Sequence, residues 1–245
     1  MIKAFHCDLH IHTCLSPCAD LDMYPSALVR KALAAGLDVI AICDHNASEN
    51  VSAVIRAAQG ERLTVLPGME ITSREEVHLL ALFETADLLQ ELQGIVYEHL
   101  PGQNDETRFG CQAIVNELDE VEGFNKRLLI GATELSLEDL VRHVHRLKGV
   151  AVACHIDRES FSVISQLGFL DPKVPFDALE VSGRMGIAGA RKKYQELAKH
   201  VFLTSSDAHR IHEIGTVFTD IFLRRPTLHE LRLAFLSRDG RHVEG

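Results

Sequence analysis

The chain has 245 residues, of which 46% are hydrophobic and 24% are charged, the composition of an ordinary globular protein. Its 25 basic and 35 acidic residues give a formal charge of −10, which argues against nucleic acid as a general partner. No apolar run reaches the roughly 18 residues that span a bilayer and no signal peptide is recognisable, so we expect a single cytoplasmic domain over residues 1–245 with reduced thiols.

Apolar runs of strand length alternate with amphipathic segments along the chain. The first run contains HCDLHIH, residues 6–12, in which polar and apolar side chains alternate as they do in a strand. Further strands are predicted at 37–45, 62–71, 76–83, 149–156, 176–182, 199–207 and 215–223. Helices are predicted at 25–36, 48–60, 86–100, 136–148, 186–199 and 227–237. This alternation predicts an α/β fold with a mostly parallel sheet, open or closed into a barrel.

Residues 101–135 interrupt the alternation. A polar loop at 101–110 is followed by a segment that could form a β-hairpin turning near Glu122 and Gly123. We interpret the segment as an insertion on the scaffold, either as this hairpin or as an irregular loop.

The predicted strands carry imidazole and carboxylate groups close to their ends. These groups belong to His10 and His12, Asp44 and His45, Glu70, His78, His155, and Asp207 and His209. The carboxyl ends of parallel strands meet at one mouth of a β/α structure, so topology would bring these side chains together. This convergence favours a closed barrel with a polar site at its mouth.

The donor types indicate a metal centre. Imidazole and carboxylate ligands together are typical of Zn, Mn or Fe, whereas Ca and Mg sites are usually all oxygen. The strand period places His10 and His12 on one face, so both can reach one ion. Asp8 shares that face and is expected to hydrogen-bond a histidine and fix its tautomer, and Asp44 is expected to support the ligands similarly. His6 is expected to be a deeper neighbour that is not a ligand.

Six motifs occur in a characteristic order along nearly the whole chain. They are DLHIHT (8–13), CDHN (43–46), GMEI (68–71), EVHLL (76–80), ACHID (153–157) and SSDAH (205–209). Together they resemble the PHP (polymerase and histidinol phosphatase) family, in particular its small stand-alone bacterial phosphoesterases. The resemblance implies a distorted seven-stranded β/α barrel of TIM-like type, two or three divalent metal ions (Zn, Mn or Fe), and hydrolysis of phosphoesters.

The resemblance also implies which residues bind which ion. The implied sets are His10, His12, Glu70 and Asp207 for a first ion, Glu70, His78 and His155 for a second, and His45 and His209 for a third. We use the terms first, second and third site for these sets. Some relatives place a histidine six residues after His12 in the third site. Here that position is Cys18, which is either a thiolate ligand or a small packing residue, with Asp20 as the substitute ligand.

Three arginines follow predicted strand ends within three residues: Arg158, Arg184 and Arg210. A planar guanidinium suits phosphate, so these are candidates for binding a substrate phosphate. The resulting hypothesis is a metal-dependent phosphoesterase (a hydrolase) acting on a small phosphomonoester or nucleotide. A metal-bound hydroxide at a di- or trinuclear site would attack phosphorus, and Asp207 or His209 would assist protonation of the leaving group.

Three alternatives remain open from the sequence. The first is a nuclease that trims nucleic-acid ends, which the net charge of −10 disfavours because backbone binding normally needs a basic groove. The second is a non-catalytic, metal-stabilised regulatory module. The third is deacylation or an amidohydrolase-like reaction, because activated water at a metal centre also attacks carbonyl carbon.

Overall fold

The structure, a computed structural model, describes residues 1–244. The strands are β1 (Lys3–Ile11), β2 (Val39–Ile42), β3 (Thr64–Thr72), β4 (His78–Leu82), β5 (Ala113–Val115), β6 (Val121–Phe124), β7 (Val150–Ala153), β8 (Ala178–Val181), β9 (Phe202–Thr204), β10 (Thr219–Leu223) and β11 (His242–Val243). The helices are α1 (Pro25–Ala34), α2 (Val51–Ala57), α3 (Ala86–Glu98), α4 (Glu106–Phe109), α5 (Leu137–Arg146), α6 (Val163–Leu167), α7 (Gly186–Lys193) and α8 (Leu228–Phe235). All eight predicted strands and all six predicted helices are confirmed. Within the described range, no helix is both long and apolar enough to cross a membrane.

In the part of the chain that the structure describes, nine strands form one sheet in the order β11-β10-β1-β2-β3-β4-β7-β8-β9. The sheet curves until the segment after β9 meets β1. There the N–H of His12 donates to the carbonyl oxygen of Ala208 at 3.0 Å, and the N–H of Ala208 donates to that of His10 at 3.3 Å. The strands from β1 round to β9 therefore form the expected distorted barrel of seven. The sheet has nine strands because β10 and β11 extend it beyond β1.

The expectation of a mostly parallel sheet is wrong at two places. Strand β4 runs antiparallel to both β3 and β7, and β10 runs antiparallel to both β1 and β11. The connection between β3 and β4 is only residues 73–77, and a parallel crossover needs a dozen or more residues. As a result β4 begins at the mouth where its neighbours end, and its first residue, His78, reaches that mouth.

Apolar side chains fill both faces of the barrel wall. Inside, Cys7, Leu9, Cys43 and Cys154 belong to one buried cluster, so three of the cysteines line the interior. Outside, the strands pack against α1, α2, α3 and α5 in a second cluster. Strands buried on both faces read as continuous apolar runs, which explains why the sequence located them well. All six cysteines of the chain are free thiols.

Residues 101–135 contain α4 and a small antiparallel sheet of β5 and β6. The expected turn at Glu122 and Gly123 is wrong, because both residues lie within β6. The turn is formed by residues 116–120, where the side chain of Asn116 accepts backbone hydrogen bonds at residues 118 and 120, both at 3.0 Å. An Asn that accepts from backbone two residues ahead favours a turn at its own position.

Candidate metal centre

Strand β1 reaches the mouth of the barrel through a bulge. Its register with β2 shifts between Asp8 and Ile11. Leu9 packs inside the barrel, whereas Ile11 packs outside against the helices, so the simple alternation of HCDLHIH is interrupted. Beyond the bulge, His10 and His12 are both fully buried among the other donors of the mouth.

The bulge also overturns two expectations. Asp8 does not hydrogen-bond a histidine; its carboxylate accepts the backbone N–H groups of Ser206 at 2.9 Å and Gly215 at 3.1 Å. It therefore fastens the segment after β9 to β1, and burial raises its pKa to about 6. His6 is not a deeper neighbour: its side chain is 46% exposed and pairs with Asp220. Both lie on the other side of the bulge from His10, where alternation carries them away from the mouth.

The four donors of the first site lie together. Nε2 of His10 is 3.4 Å from Oε1 of Glu70 and 3.3 Å from Oδ1 of Asp207. Nε2 of His12 is 3.4 Å from Oε2 of Glu70 and 3.3 Å from the same oxygen of Asp207. Donor atoms of all four residues lie within 4.8 Å of one another, close enough to share one ion.

Glu70 joins this set to its neighbours. Its carboxylate, 1% exposed, also lies 2.7 Å from Nδ1 of His78, 3.3 Å from Nε2 of His155 and 3.1 Å from Nδ1 of His45. One carboxylate is therefore within 3.4 Å of five imidazoles. Burial alone would raise its pKa, but the charges of His78 and His10 outweigh burial and hold it well below its usual value. A carboxylate in this position can bridge two ions.

A third group consists of imidazoles alone. Donor nitrogens of His12, His45 and His209 lie within 4.8 Å of one another, and the ring centroids of His12 and His209 are 4.0 Å apart. His45 therefore lies between two sets, because it is also grouped with Glu70 and His78. Eight of the nine groups identified at the strand ends are thus gathered at the mouth as candidate ligands. The ninth, Asp44, accepts hydrogen bonds from the hydroxyls of Thr13 and Ser16.

These donors fit metal ions better than they fit one another. Among the described residues, Nδ1 of His45, His78 and His155 and Oδ1 of Asp207 are buried without a hydrogen-bond partner. Two of these nitrogens lie near Glu70, but at angles that do not make a hydrogen bond. Buried polar atoms are rarely left unpaired in folded proteins, and four at one site are explained by cations that would bind them.

The imidazoles of the site fall into two groups, one with lowered and one with raised pKa values. Burial lowers the pKa of His45 well below its usual value and that of His209 to about 4, so both rings are neutral at neutral pH, the form that binds metal. Burial also acts on His10 and His12, but the neighbouring carboxylates outweigh it. They raise the pKa of His12 to about 9 and that of His10 well above its usual value. A metal ion would take the place of these protons.

Two residues that sequence reasoning missed hold the ligands from behind. Glu180 lies in the barrel wall with both carboxylate oxygens near Nδ1 of His10, at 3.2 and 3.1 Å. Ser16 accepts a hydrogen bond from Nδ1 of His12 at 2.9 Å and donates to Oδ1 of Asp44 at 2.6 Å. Asp44 thus acts on His12 through Ser16. The signal for Glu180 is the single acidic residue in ALEV, residues 178–181, a strand that is buried throughout. Nothing in the sequence points to Ser16 in the same way.

Cys18 and Asp20 lie outside these groups of donors. Both are exposed, and Asp20 is 3.7 Å from Nε of Arg210. Residues 13–23 fold into consecutive tight turns, the first of which is closed by a hydrogen bond from the N–H of Ser16 to the carbonyl oxygen of Thr13 at 3.1 Å. These turns carry residues 18 and 20 to the rim of the mouth. Neither residue is placed as a third-site ligand.

The three arginines differ in position. Arg158 lies at the mouth, where its Nη1 donates to Oδ2 of Asp207 at 2.5 Å. Arg184 is exposed and lines a neighbouring cleft. Arg210 is directed to the surface, where its Nη1 lies 3.7 Å from Oε1 of Glu213. Its guanidinium therefore does not take the position near the donors that the sequence predicted.

Two adjoining clefts open at the mouth. The first, of about 120 Å³, is lined by metal-ligand candidates together with Arg158, Ser160 and Phe161. The second, of about 750 Å³, shares Arg158 and Ser160 with it and includes Arg184 and Ser182. A compact group can therefore sit against the donors while the rest of a larger molecule extends into the second cleft.

Comparison with known proteins gives a family and a fold. A family model described as the PHP domain matches residues 8–199. A search of curated proteins finds no match. The structure is similar to the lesion-specific endonuclease EndoQ from Pyrococcus furiosus, with a TM-score of 0.78 and 18% identity over 98% of this chain. The chain spans 58% of the length of that endonuclease.

Two further structures show the same fold. One is endonuclease Q in complex with a 27-mer duplex carrying an abasic lesion at the active site, with a TM-score of 0.73, 18% identity and coverage of 98% of this chain and 58% of the other. The other is a proposed metal-dependent phosphoesterase from Bifidobacterium adolescentis, with a TM-score of 0.58, 19% identity and coverage of 85% of this chain and 89% of the other.

Proposed function

Because the chain belongs to the PHP domain family, we propose that it is a metal-dependent phosphoesterase that hydrolyses a small phosphomonoester or nucleotide. The observation that carries this proposal is the environment of Glu70, whose buried carboxylate lies within 3.4 Å of five imidazoles. A mixed set of this size suits two or three Zn, Mn or Fe ions.

In this proposal the sites are divided as the family resemblance implies. The first ion would be held by His10, His12, Glu70 and Asp207, the second by Glu70, His78 and His155, and the third by His45 and His209. Bound ions of this kind activate water and polarise phosphoryl oxygens. Closely spaced sites that share a carboxylate can act on one phosphoryl group together.

The protein's own groups would orient the substrate. The guanidinium of Arg158 lies at the edge of the smaller cleft, so it can bind a phosphoryl oxygen by exchanging its contact with Asp207. The exposed Arg184 would contact the remainder of the substrate in the larger cleft. The smaller cleft suits a compact phosphate, which favours a small ester over an internal position of a long polymer.

Protonation of the leaving group is assigned differently from the initial hypothesis. Burial lowers the pKa of His209 to about 4, and His10 holds the pKa of Asp207 well below its usual value against the effect of burial. At neutral pH the two groups are therefore a neutral imidazole and a carboxylate, the forms that bind metal. We therefore propose both as ligands, with the proton supplied by water at the open rim.

The test combines metal content with a substrate screen. Purified protein is expected to contain more than one equivalent of Zn, Mn or Fe and to hydrolyse an aryl phosphate, with nucleotides, sugar phosphates and histidinol phosphate compared next. His10→Ala and Glu70→Ala should abolish activity, whereas His229→Ala, an exposed histidine on α8, should retain it. Metal-replete protein that is inert on the whole panel would refute the proposal.

A second candidate is cleavage of nucleic acid. The observation in its favour is the similarity to a DNA-lesion endonuclease along 98% of this chain, and the net charge of −10 counts against it. A series of oligonucleotides of increasing length separates the two candidates. Rates that rise with length, and that salt suppresses strongly, would favour the nuclease; rates that are highest on mononucleotides would favour the small ester.

A further inference from the structure

We propose that Glu180 and Ser16 are positioning residues that link the metal sites in pairs, Glu180 joining the first site to the second and Ser16 joining the first to the third. The proposal rests on the metal sites of the proposed function and goes beyond them. It identifies two buried groups, neither of them among the ligands assigned to the three sites, that make separate sites depend on each other.

Glu180 contacts one ligand of each of two sites. Its carboxylate lies 3.1 Å from Nδ1 of His10, a first-site ligand, and its Oε2 accepts the backbone N–H of His155, a second-site ligand, at 3.2 Å. The residue is 3% exposed, so water does not replace these contacts. A carboxylate that holds Nδ1–H of an imidazole directs Nε2 toward the ion and makes it a better donor. One side chain thus fixes a ring of the first site and the backbone of the second.

Ser16 makes the corresponding pair of contacts on the other side of the first site. Its Oγ accepts from Nδ1 of His12, a first-site ligand, at 2.9 Å, and from the backbone N–H of His45, a third-site ligand, at 3.2 Å. The same hydroxyl donates to Oδ1 of Asp44 at 2.6 Å. Ser16 is fully buried. Its three contacts use the single donor and both acceptor positions of a hydroxyl, so the group has no freedom to turn away.

The backbone contact of Glu180 matters because the segment it holds is not relaxed. His155 has a φ of 28°, in the left-handed region that is unfavourable for a residue with a side chain. Such a conformation persists only when its surroundings determine it. The hydrogen bond from N–H of His155 to Glu180 is one of those determinants. Loss of this carboxylate should therefore displace a second-site ligand as well as the ring of His10.

Matched variants separate this role from simple filling of space. Glu180→Gln keeps the shape of the side chain but loses the charge and one acceptor oxygen. Ser16→Ala removes the hydroxyl, and Ser16→Thr restores it. Removal of a group that orients a metal ligand typically weakens metal binding about 10- to 100-fold. We expect a loss of this size at the first and second sites in Glu180→Gln, and at the first and third sites in Ser16→Ala.

The measurement is a Zn²⁺ titration of the metal-depleted full chain followed by ¹⁵N spectra of the imidazole rings. Each ring reports its own site: His78 reports the second, and His209 reports the third. Equilibrium dialysis with elemental analysis gives the total number of bound ions. Thermal unfolding of the metal-free variants checks that each is folded, and Glu180→Asp replaces Glu180→Gln in the titration if the latter is not.

The outcomes are distinct. The proposal is supported if the Zn²⁺ affinity reported by His78 falls only in Glu180→Gln and the affinity reported by His209 falls only in Ser16→Ala. Ser16→Thr should then restore the affinity reported by His209. Equal losses at every site in both variants, or no loss in either, would overturn it while leaving the metal-dependent activity of the wild type intact. A wild-type protein that binds no Zn²⁺, Mn²⁺ or Fe²⁺ would instead overturn the proposed function. The coupling of metal sites through Glu180 and Ser16 would then be overturned as well.

Discussion

Metal binding should compete with protons, and the structure sets the size of the effect. The neighbouring carboxylates raise the pKa of His12 to about 9, so at pH 7 the ring is protonated in a ratio of about 100 to 1. An ion that needs the neutral ring must displace that proton, which weakens apparent affinity at pH 7 by roughly 100-fold. His10, whose pKa is also raised, adds a second proton.

The direction of the pH dependence follows from these shifts. Between pH 7 and pH 9 the affinity of the first site for Mn²⁺ should rise at least about tenfold per pH unit, and it should flatten only once both His12 and His10 are neutral. The third-site rings contribute no such dependence in this range, because the pKa of His209 is about 4 and that of His45 is lowered well below its usual value. The first and third sites should therefore respond differently to the same change of pH.

Isothermal titration calorimetry of metal-depleted protein tests this directly. Titration with Mn²⁺ at pH 6, 7, 8 and 9, each in two buffers of different ionisation enthalpy, gives both the affinity and the number of protons released. We expect release of about two protons at pH 7. The His229→Ala variant should match the wild type. Affinity that stays constant from pH 6 to pH 9, with a heat that does not depend on the buffer, would refute the reasoning.

Three further predictions follow from other contacts. Arg158→Ala should raise KM about tenfold with little change in kcat if the guanidinium binds ground-state phosphate, and steady-state kinetics on the best substrate checks this. Glu230→Gln should lower the midpoint of thermal unfolding by a few degrees at pH 7. Arg241 lowers the pKa of Glu230 to about 2, so this stabilisation is present above about pH 4.5 and is lost as the pH falls toward 2, where variant and wild type should converge. Gly68→Ala should destabilise the fold by about 1–3 kcal/mol in urea unfolding, because a Cβ there would lie 2.7 Å from a cysteine sulfur, whereas Gly94→Ala, with open space on α3, should stabilise it by up to about 1 kcal/mol.

The sequence predicted the elements well because burial on both faces gives strands a distinct composition. It also predicted which donors meet, because Glu70, His155 and Asp207 follow or end strands that share a mouth. It did not predict the direction of β4, although the five-residue connection before His78 contained the reason. The position of His78 was right, but it lies at the start of an antiparallel strand and not at the end of a parallel one.

Other details depend on geometry that spacing does not encode. The bulge in β1 separates Asp8 from His10, and a bulge is fixed by pairing with a neighbouring strand that the local pattern does not describe. The spacing from His12 in related proteins predicts Cys18 as a ligand, but consecutive turns carry that residue to the rim. Glu180 lies 170 residues from His10, so only the closed barrel brings the two together.

The closure of the barrel, which we call the seam, affects how readily the protein unfolds locally. The ring closes where Ala208 pairs with β1, and the first-site ligands lie on both sides of this closure: His10 and His12 on one strand, Asp207 on the segment that joins it. An ion bound there would cross-link two parts of the chain that are neighbours in space but lie near its opposite ends. Openings at the seam would then require dissociation of the ion as well as rupture of hydrogen bonds. Amide hydrogen exchange at His12 and Ala208 would therefore report metal loading, and a metal-depleted chain would be cut by proteases first at this closure.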